Sequence, residues 1–318
     1  MRAALLLSSL SVPVPVTPLR TARSRQLAAT LCSPRASTPI GPRLVALLAV
    51  SASAVAASES VRVGAADAGT MSATPSIRVR PSNARGKADH GWLKSYHTFS
   101  FADYYDPKFE SFGALRVINE DTVAGGEGFG THPHRDAEIF SYVICGVIEH
   151  KDSMGNTELL TRGQVQFTSA GTGIRHSEFN GDKKLPLRFL QIWAMPRQRG
   201  LTPRYETKTF VDEAKADKLC PIITPDGSNG TITIAQDFRM FASILGSGAS
   251  LRHALGSRRA YLHVPIMDGS GGVTLSGSGA AAVTLKPGDG AFVEGVSELE
   301  IVGADGKKPT EFVLFDLV

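Results

Sequence analysis

Three of the chain's eight histidines lie in two short stretches that also carry carboxylates. The first stretch contains His132 and His134, and the second contains His176 and Glu178, each pair with one residue between its members. In an extended strand, side chains two residues apart point to the same face, so the members of each pair would project together. Two such pairs that face each other would form a pocket with four possible metal ligands.

Imidazole and carboxylate groups suit divalent iron, copper, nickel, manganese or zinc. A set of this kind can leave a coordination position free, and an open position indicates a catalytic rather than a structural site. Any one of these histidines alone would more simply be a strand residue whose ring is satisfied by a neighbour. Two pairs at strand spacing, each next to turn glycines, favour a metal site.

The first 75 residues differ in composition from the rest of the chain. They contain seven arginines, no lysine and two acidic residues, whereas the remainder carries 27 basic and 28 acidic residues. The basic pI therefore belongs to this segment, and the body of the chain offers no basic surface for nucleic acid. A stretch rich in Ser, Ala, Pro and Arg with so few acids is typical of an organelle transit peptide. We expect import into the plastid, with the mitochondrion or the cytoplasm as alternatives.

The apolar run over residues 44–57 lies within this segment and ends in small residues. At fourteen residues it is too short to span a bilayer comfortably. We therefore expect no association of the chain with a membrane.

The rest of the chain has the pattern of a β protein. Short apolar or alternating runs, such as residues 138–144 and 189–194, recur between glycine-rich or polar turns. Such spacing suits a sandwich or a barrel rather than alternating strands and helices. A proline-containing basic link over residues 195–204 separates a second block of strand-like runs, in which residues 286–292 repeat the strand-turn-strand pattern of residues 161–167. The chain thus shows an internal repeat of architecture.

We divide the chain into a targeting segment (1–75), an N-terminal domain (76–204) and a C-terminal domain (205–318). The metal-binding pattern is confined to the N-terminal domain. The histidines of the second domain, His253 and His263, stand ten residues apart with no partner at strand spacing. We expect packing roles for both of them.

Three further histidines of the N-terminal domain are not expected to be ligands. His90 and His97 lie in an aromatic lead-in and are interpreted as pocket wall, cap or packing. His150 follows Glu149 at the end of a predicted strand, where a solvated or cross-strand role is the simpler interpretation.

Four segments together carry a resemblance to a known family. They are His132-Pro133-His134-Arg135, Asp152-Ser153-Met154-Gly155-Asn156, the stretch from Ser169 to Glu178, and Gln191-Ile192-Trp193. They resemble the pirin family of the cupin superfamily, most closely its bacterial pirin-like quercetin 2,3-dioxygenases. The resemblance implies an all-β bicupin fold: two β-barrel (jelly-roll) domains with a metal site in the N-terminal barrel only.

The resemblance also implies the ligand set His132, His134, His176 and Glu178. The general cupin pattern would nominate Glu138 in place of Glu178, because Glu138 shares strand parity with His132 and His134. We follow the pirin pattern and expect Glu138 either to orient a ligating ring or to pair with Arg135. The expected cofactor is one divalent transition metal, Fe(II) first, with Cu, Ni, Mn or Zn as alternatives that the donor types do not separate.

The activity implied by the resemblance is the opening of a flavonol ring by dioxygen with release of carbon monoxide. Glu178 would act as the base that accepts the proton of the substrate's 3-hydroxyl group. We expect a monomer whose partners are a flavonol or related phenol and dioxygen, with no direct contact to nucleic acid.

Two other functions are compatible with this sequence. One is a non-enzymatic, metal-dependent redox sensor of the transcription-cofactor type, against which the organelle address and the absence of a basic patch both argue. The other is a zinc-dependent cupin isomerase of phosphorylated sugars. That isomerase would need a basic cluster at the pocket, for which only Arg135 and Arg175 are near candidates.

The targeting prediction can be checked with a fluorescent reporter fused to residues 1–75. We expect the reporter to accumulate in plastids. A diffuse cytosolic signal in microscopy would contradict the transit-peptide interpretation.

Overall fold

The computed structural model describes residues 74–318, so the predicted targeting segment lies outside the described residues except for its last two positions. Regular structure in this range is almost entirely β-strand. The exceptions in the described range are the helix α1 (Asp212–Lys215) and two 3-10 turns (Ser82–Ala84 and Ser228–Gly230). No helix within residues 74–318 is both long and apolar enough to cross a membrane.

The N-terminal domain is a sandwich of a seven-stranded and a four-stranded antiparallel sheet. In spatial order the larger sheet contains β12 (Arg204–Thr209), β9 (Gln164–Ser169), β6 (Glu138–Cys145), β11 (Leu187–Ala194), β4 (Leu115–Val123), β3 (Leu93–His97) and β2 (Gly86–Asp89). The smaller sheet contains β5 (Gly128–His134), β10 (Ile174–Asn180), β7 (Val147–Asp152) and β8 (Thr157–Thr161).

The C-terminal domain repeats this architecture, as the internal repeat predicted. Its larger sheet contains β1 (Ser76–Arg80), β20 (Gly290–Glu294), β17 (Arg259–His263), β22 (Thr310–Leu317), β15 (Phe238–Leu245), β13 (Cys220–Thr224) and β14 (Ile232–Thr233). Its smaller sheet contains β16 (Ser250–Ala254), β21 (Glu298–Gly303), β18 (Val273–Gly277) and β19 (Ala280–Leu285). The all-β, two-barrel prediction is therefore confirmed.

The two domains exchange their terminal strands, which the predicted boundaries did not anticipate. Strand β1 precedes the N-terminal domain in sequence but pairs with β20 of the C-terminal sheet. Strand β12 begins at the predicted boundary but pairs along its whole length with β9 of the N-terminal sheet. Short proline-containing segments show where strands end, but they do not show which sheet edge the next strand will join.

The two seven-stranded sheets pack against each other through a shared apolar core. Strands β6 and β22 are buried at every position, because one face lines its own sandwich and the other faces the partner domain. Aromatic pairs cross the interface, with ring centroids 5.9 Å apart for Phe140 and Phe238 and 6.1 Å for Phe99 and Phe292. Strands buried on both faces carry continuous apolar runs, which explains the sequence of β6.

A buried carboxylate, Glu120, joins the two domains by polar contacts. Its Oε2 accepts a hydrogen bond of 2.9 Å from Arg85 and lies 3.4 Å from Nε2 of His263. Its Oε1 accepts from Arg188 at 3.2 Å and from the backbone N–H of Ile266 at 2.6 Å. Burial alone would raise the pKa of Glu120, but the contacts with His263 and Arg85 outweigh it and lower this pKa to about 2.

We expect Glu120→Gln to destabilise the protein by about 3–5 kcal/mol, because it leaves buried guanidinium groups without their counter-charge. The folded-state pKa is depressed, so the stabilisation should be complete above about pH 4.5 and lost as the pH falls towards 2. Urea unfolding of both proteins at several pH values measures this difference. Glu149→Gln, which breaks a partly exposed pair with Lys151, is the control and should change stability by under about 0.5 kcal/mol. A loss for Glu120→Gln no larger than that of the control would contradict the prediction.

Candidate metal centre

Two neighbouring strands, β5 and β10, bring the predicted ligands together. On one side of β10, His176 stands opposite His132 and Ile174 opposite His134. Residues along β10 alternate between buried and accessible positions, and His176 and Glu178 are both on the buried face. The predicted sharing of one strand face by His176 and Glu178 is thus observed.

The two strands are not in perfect register along this edge. His176 stands opposite His132, and Glu178 stands opposite Phe129. Between these two pairs β10 has one residue, whereas β5 has two. Such a bulge redirects backbone groups. Here the carbonyl of Gly130 lies 2.8 Å from Nδ1 of His132.

The three imidazoles form a compact cluster. Their ring centroids are 4.6 to 4.8 Å apart, and Nε2 of His132 lies 3.1 Å from Nε2 of His176. Because Nδ1 of His132 donates to the Gly130 carbonyl, the lone pair of its Nε2 is directed at the cluster. Burial, reinforced by the neighbouring imidazoles, lowers the pKa of both His134 and His176 to about 3. The rings of His134 and His176 are therefore neutral at ordinary pH and can donate lone pairs to a cation.

Glu178 contributes a buried carboxylate beside these rings. The residue is 3% exposed, and its Oε1 accepts hydrogen bonds from Ser141 Oγ at 3.3 Å and from Gln166 Nε2. Its Oε2 is buried without a hydrogen-bond partner among residues 74–318. A buried carboxylate oxygen left without a donor is costly unless a cation neutralises it.

These residues fit a divalent transition-metal ion. Two groups of side chains have ligand atoms within 4.8 Å of one another. The first group is His132, His134 and His176, and the second is His150, His176 and Glu178, so the two groups share His176. Three imidazoles and a carboxylate are nitrogen and oxygen donors that such ions accept. Both groups lie in the N-terminal sandwich. The individual ligand assignments stay predictions.

The structure gives Glu138 neither of the roles expected from the sequence. Its carboxylate accepts hydrogen bonds from Ser169 Oγ at 2.6 Å and from the backbone N–H of Ala235, in the other domain, at 3.2 Å. Arg135 pairs with its neighbour Asp136 at 3.5 Å. Glu138 is separated from His132 and His134 by an even number of positions, which would place the three side chains on one face of a single strand. However, Glu138 lies on β6 of the larger sheet and the histidines lie on β5 of the smaller sheet, so this spacing does not bring them together.

His150 lies closer to the predicted ligands than its sequence position indicated. This residue is fully buried and stands opposite Glu178 on the second side of β10. Its Nε2 lies 3.2 Å from Asp152 Oδ2, and its ring stacks on Tyr205 with centroids 4.4 Å apart. His150 and Asp152 have one residue between them, as do the members of the two predicted ligand pairs. The same spacing could therefore have identified His150 from the sequence.

An aromatic wall stands beside His134. Trp193 on β11 meets the His134 ring edge to face at 4.9 Å, and Phe101 meets Trp193 at 5.7 Å. His97 is also buried nearby, where Nδ1 lies 2.8 Å from Asn119 Oδ1 and the ring contacts Phe101 at 5.5 Å. A flat aromatic molecule would find complementary apolar faces along this wall.

Comparisons with known proteins agree with this architecture. Residues 78–194 match the family model described as Pirin, and residues 221–317 match the one described as quercetinase C-terminal cupin domain. The chain is 42% identical over 242 residues to a quercetin 2,3-dioxygenase of Escherichia coli (strain K12), covering 76% of this chain and 98% of the relative. The chain belongs to the pirin family. The resemblance stated from its motifs is thereby confirmed.

Other members of the pirin family match over the same extent. A pirin-like protein of Caulobacter vibrioides is 37% identical over 241 residues, covering 76% of this chain and 99% of the relative. The crystal structure of a bacterial pirin from Escherichia coli in complex with nickel(II) superposes with a TM-score of 0.68 at 41% identity, covering 76% of this chain and 98% of that chain.

We expect Glu178→Gln to weaken Ni2+ binding at least about tenfold, because an amide oxygen lacks the charge of the carboxylate. Glu138→Gln should leave Ni2+ affinity within about threefold of the wild-type value, since the hydrogen bonds of Glu138 go to Ser169 and Ala235. Titration calorimetry of metal-free protein measures both affinities. A loss confined to Glu138→Gln would reverse the assignment of the carboxylate ligand.

Proposed function

We propose that this chain is a metal-dependent dioxygenase that opens the ring of a flavonol such as quercetin. The single observation that supports this best is the buried Glu178 carboxylate, whose Oε2 has no hydrogen-bond partner among residues 74–318, next to a cluster of three imidazoles that lies beside an aromatic wall. The Escherichia coli relative that is named quercetin 2,3-dioxygenase, aligned over 98% of its length, supports the same reaction class.

The proposed cofactor is Fe(II), held by His132, His134, His176 and Glu178. When bound, a divalent ion would supply positive charge that acidifies a coordinated hydroxyl and a site at which substrate and dioxygen are held close together. The nitrogen and oxygen donors also accept copper, nickel, manganese or zinc. The bacterial pirin in complex with nickel(II) is an example of such an ion with a relative.

Glu178 is the proposed base. Its Oε2 has two lone pairs, so one would accept the proton of the flavonol 3-hydroxyl group while the other faces the ion, and Ser141 and Gln166 continue to donate to Oε1. The position on a buried strand face holds the carboxylate in one orientation and keeps bulk water away from the proton transfer. Trp193 and Phe101 would pack against the flat rings of the substrate.

We propose the plastid as the compartment in which this reaction takes place. The proposal depends on the arginine-rich, acid-poor composition of residues 1–75. Dioxygen is the second substrate that we propose for the site.

The activity is tested by oxygen uptake and loss of quercetin absorbance with protein loaded separately with iron, copper, nickel or manganese. We expect turnover with at least one of these ions and a loss of about 10²-fold or more in Glu178→Gln compared at equal metal content. His253→Gln, in the second domain, serves as the control and should retain full activity. Absence of oxygen uptake across all four ions and several flavonols would contradict the dioxygenase and favour the non-enzymatic sensor.

A further inference from the structure

Two buried side chains of the larger sheet hold one oxygen of Glu178. Ser141 on β6 and Gln166 on β9 stand directly opposite each other in register, and both point across the sandwich at β10. Gln166 Nε2 donates both to Glu178 Oε1 and to Ser141 Oγ, the latter at 3.2 Å. The exposed fractions of Ser141, Gln166 and Glu178 are 0, 2 and 3%. The three groups form a closed, buried triangle.

The contacts of the carboxylate are strongly unequal. Both donors approach Oε1, whereas Oε2 has no hydrogen-bond partner in the described part of the chain. Hydrogen bonds to a charged group are stronger than those between neutral groups, so Oε1 is retained by its donors. Only Oε2 is left to contact a cation.

The amide of Gln166 can stabilise the carboxylate in one orientation only. Its own Oε1 is buried and has no donor within residues 74–318. Turning the amide over would place this oxygen against the carboxylate oxygen of Glu178, and two acceptors would then face each other. The donor end of Gln166 therefore fixes the side chain, and through it the direction of Oε2.

We propose that Gln166 is a positioning residue of the metal centre: by occupying Oε1 of Glu178, it presents Oε2 as a single ligand atom. This inference depends on the proposed function in one respect, the role of Glu178 as a metal ligand. A carboxylate that binds through one oxygen takes one coordination position rather than two, which leaves more room for substrate and dioxygen. Partners that orient a ligating carboxylate typically change metal affinity 10- to 100-fold when removed.

The test uses the full chain, Co2+ as the probe, and Gln166→Met, which keeps an unbranched side chain of similar size but has no donor. We expect Co2+ to bind about 10- to 100-fold more weakly. The visible absorption of the bound Co2+ should also change, because Oε1 is released towards the ion. The matched control is Gln191→Met: Gln191 is buried in the same sheet and accepts from Asn119 Nδ2 at 3.3 Å. The Gln191→Met protein should bind Co2+ with an affinity within about threefold of the wild-type value, and the visible spectrum of its bound Co2+ should be unchanged.

A double-mutant cycle separates positioning from general packing. If Gln166 acts through Glu178, then Gln166→Met should change Co2+ affinity by less than about threefold in a Glu178→Gln background. An equal loss in both backgrounds, or a wild-type spectrum and affinity in Gln166→Met, would overturn the inference alone. A wild-type protein that binds no Co2+ would overturn the proposed metal-dependent function and this inference together.

Discussion

The pairing of β5 with β10 is the constraint on which the candidate site depends. It places His132 opposite His176 and, through the extra residue in β5, turns the Gly130 carbonyl towards His132. A shift of one residue in this register would move His176 and Glu178 to the solvent face together. The glycines around this edge allow a close approach, since a Cβ on Gly128 would lie 2.4 Å from the Cα of Phe179. The backbone thus defines the site before any ion is considered.

The sequence predicted those parts of the site that depend on alternation within one strand. His132 and His134, like His176 and Glu178, are separated by one residue, and a strand places such residues on one face. The two donors to Glu178 could not be predicted in this way, because they depend on pairing between sheets. Gln166 and Ser141 reach Glu178 from the opposite sheet. Nothing in the spacing of a single strand reports which residues will meet across a sandwich.

The same limit explains the misplacement of Glu138 and of the domain boundaries. Glu138 has the parity of a ligand, yet its strand lies in the other sheet, and its carboxylate instead joins the two domains through Ala235. The face on which a side chain lies depends only on its position within one strand, whereas the sheet that the strand joins is set by the whole chain. The second barrel, without a metal cluster in its described residues, covers the apolar outer face of the first and supplies His263 and Ile266 to the buried Glu120.

The strand exchange makes the order of folding unusual for a protein with two domains. Strand β1 is among the first described residues to be synthesised, yet Ser76 pairs with Glu294 near the opposite end of the chain. Closing so large a loop has an entropic cost, and pairing between strands so far apart in sequence slows folding. The edge of the C-terminal sheet is therefore completed only when both ends of the described chain are present together, whereas the strands of the N-terminal sandwich all lie within residues 86–209.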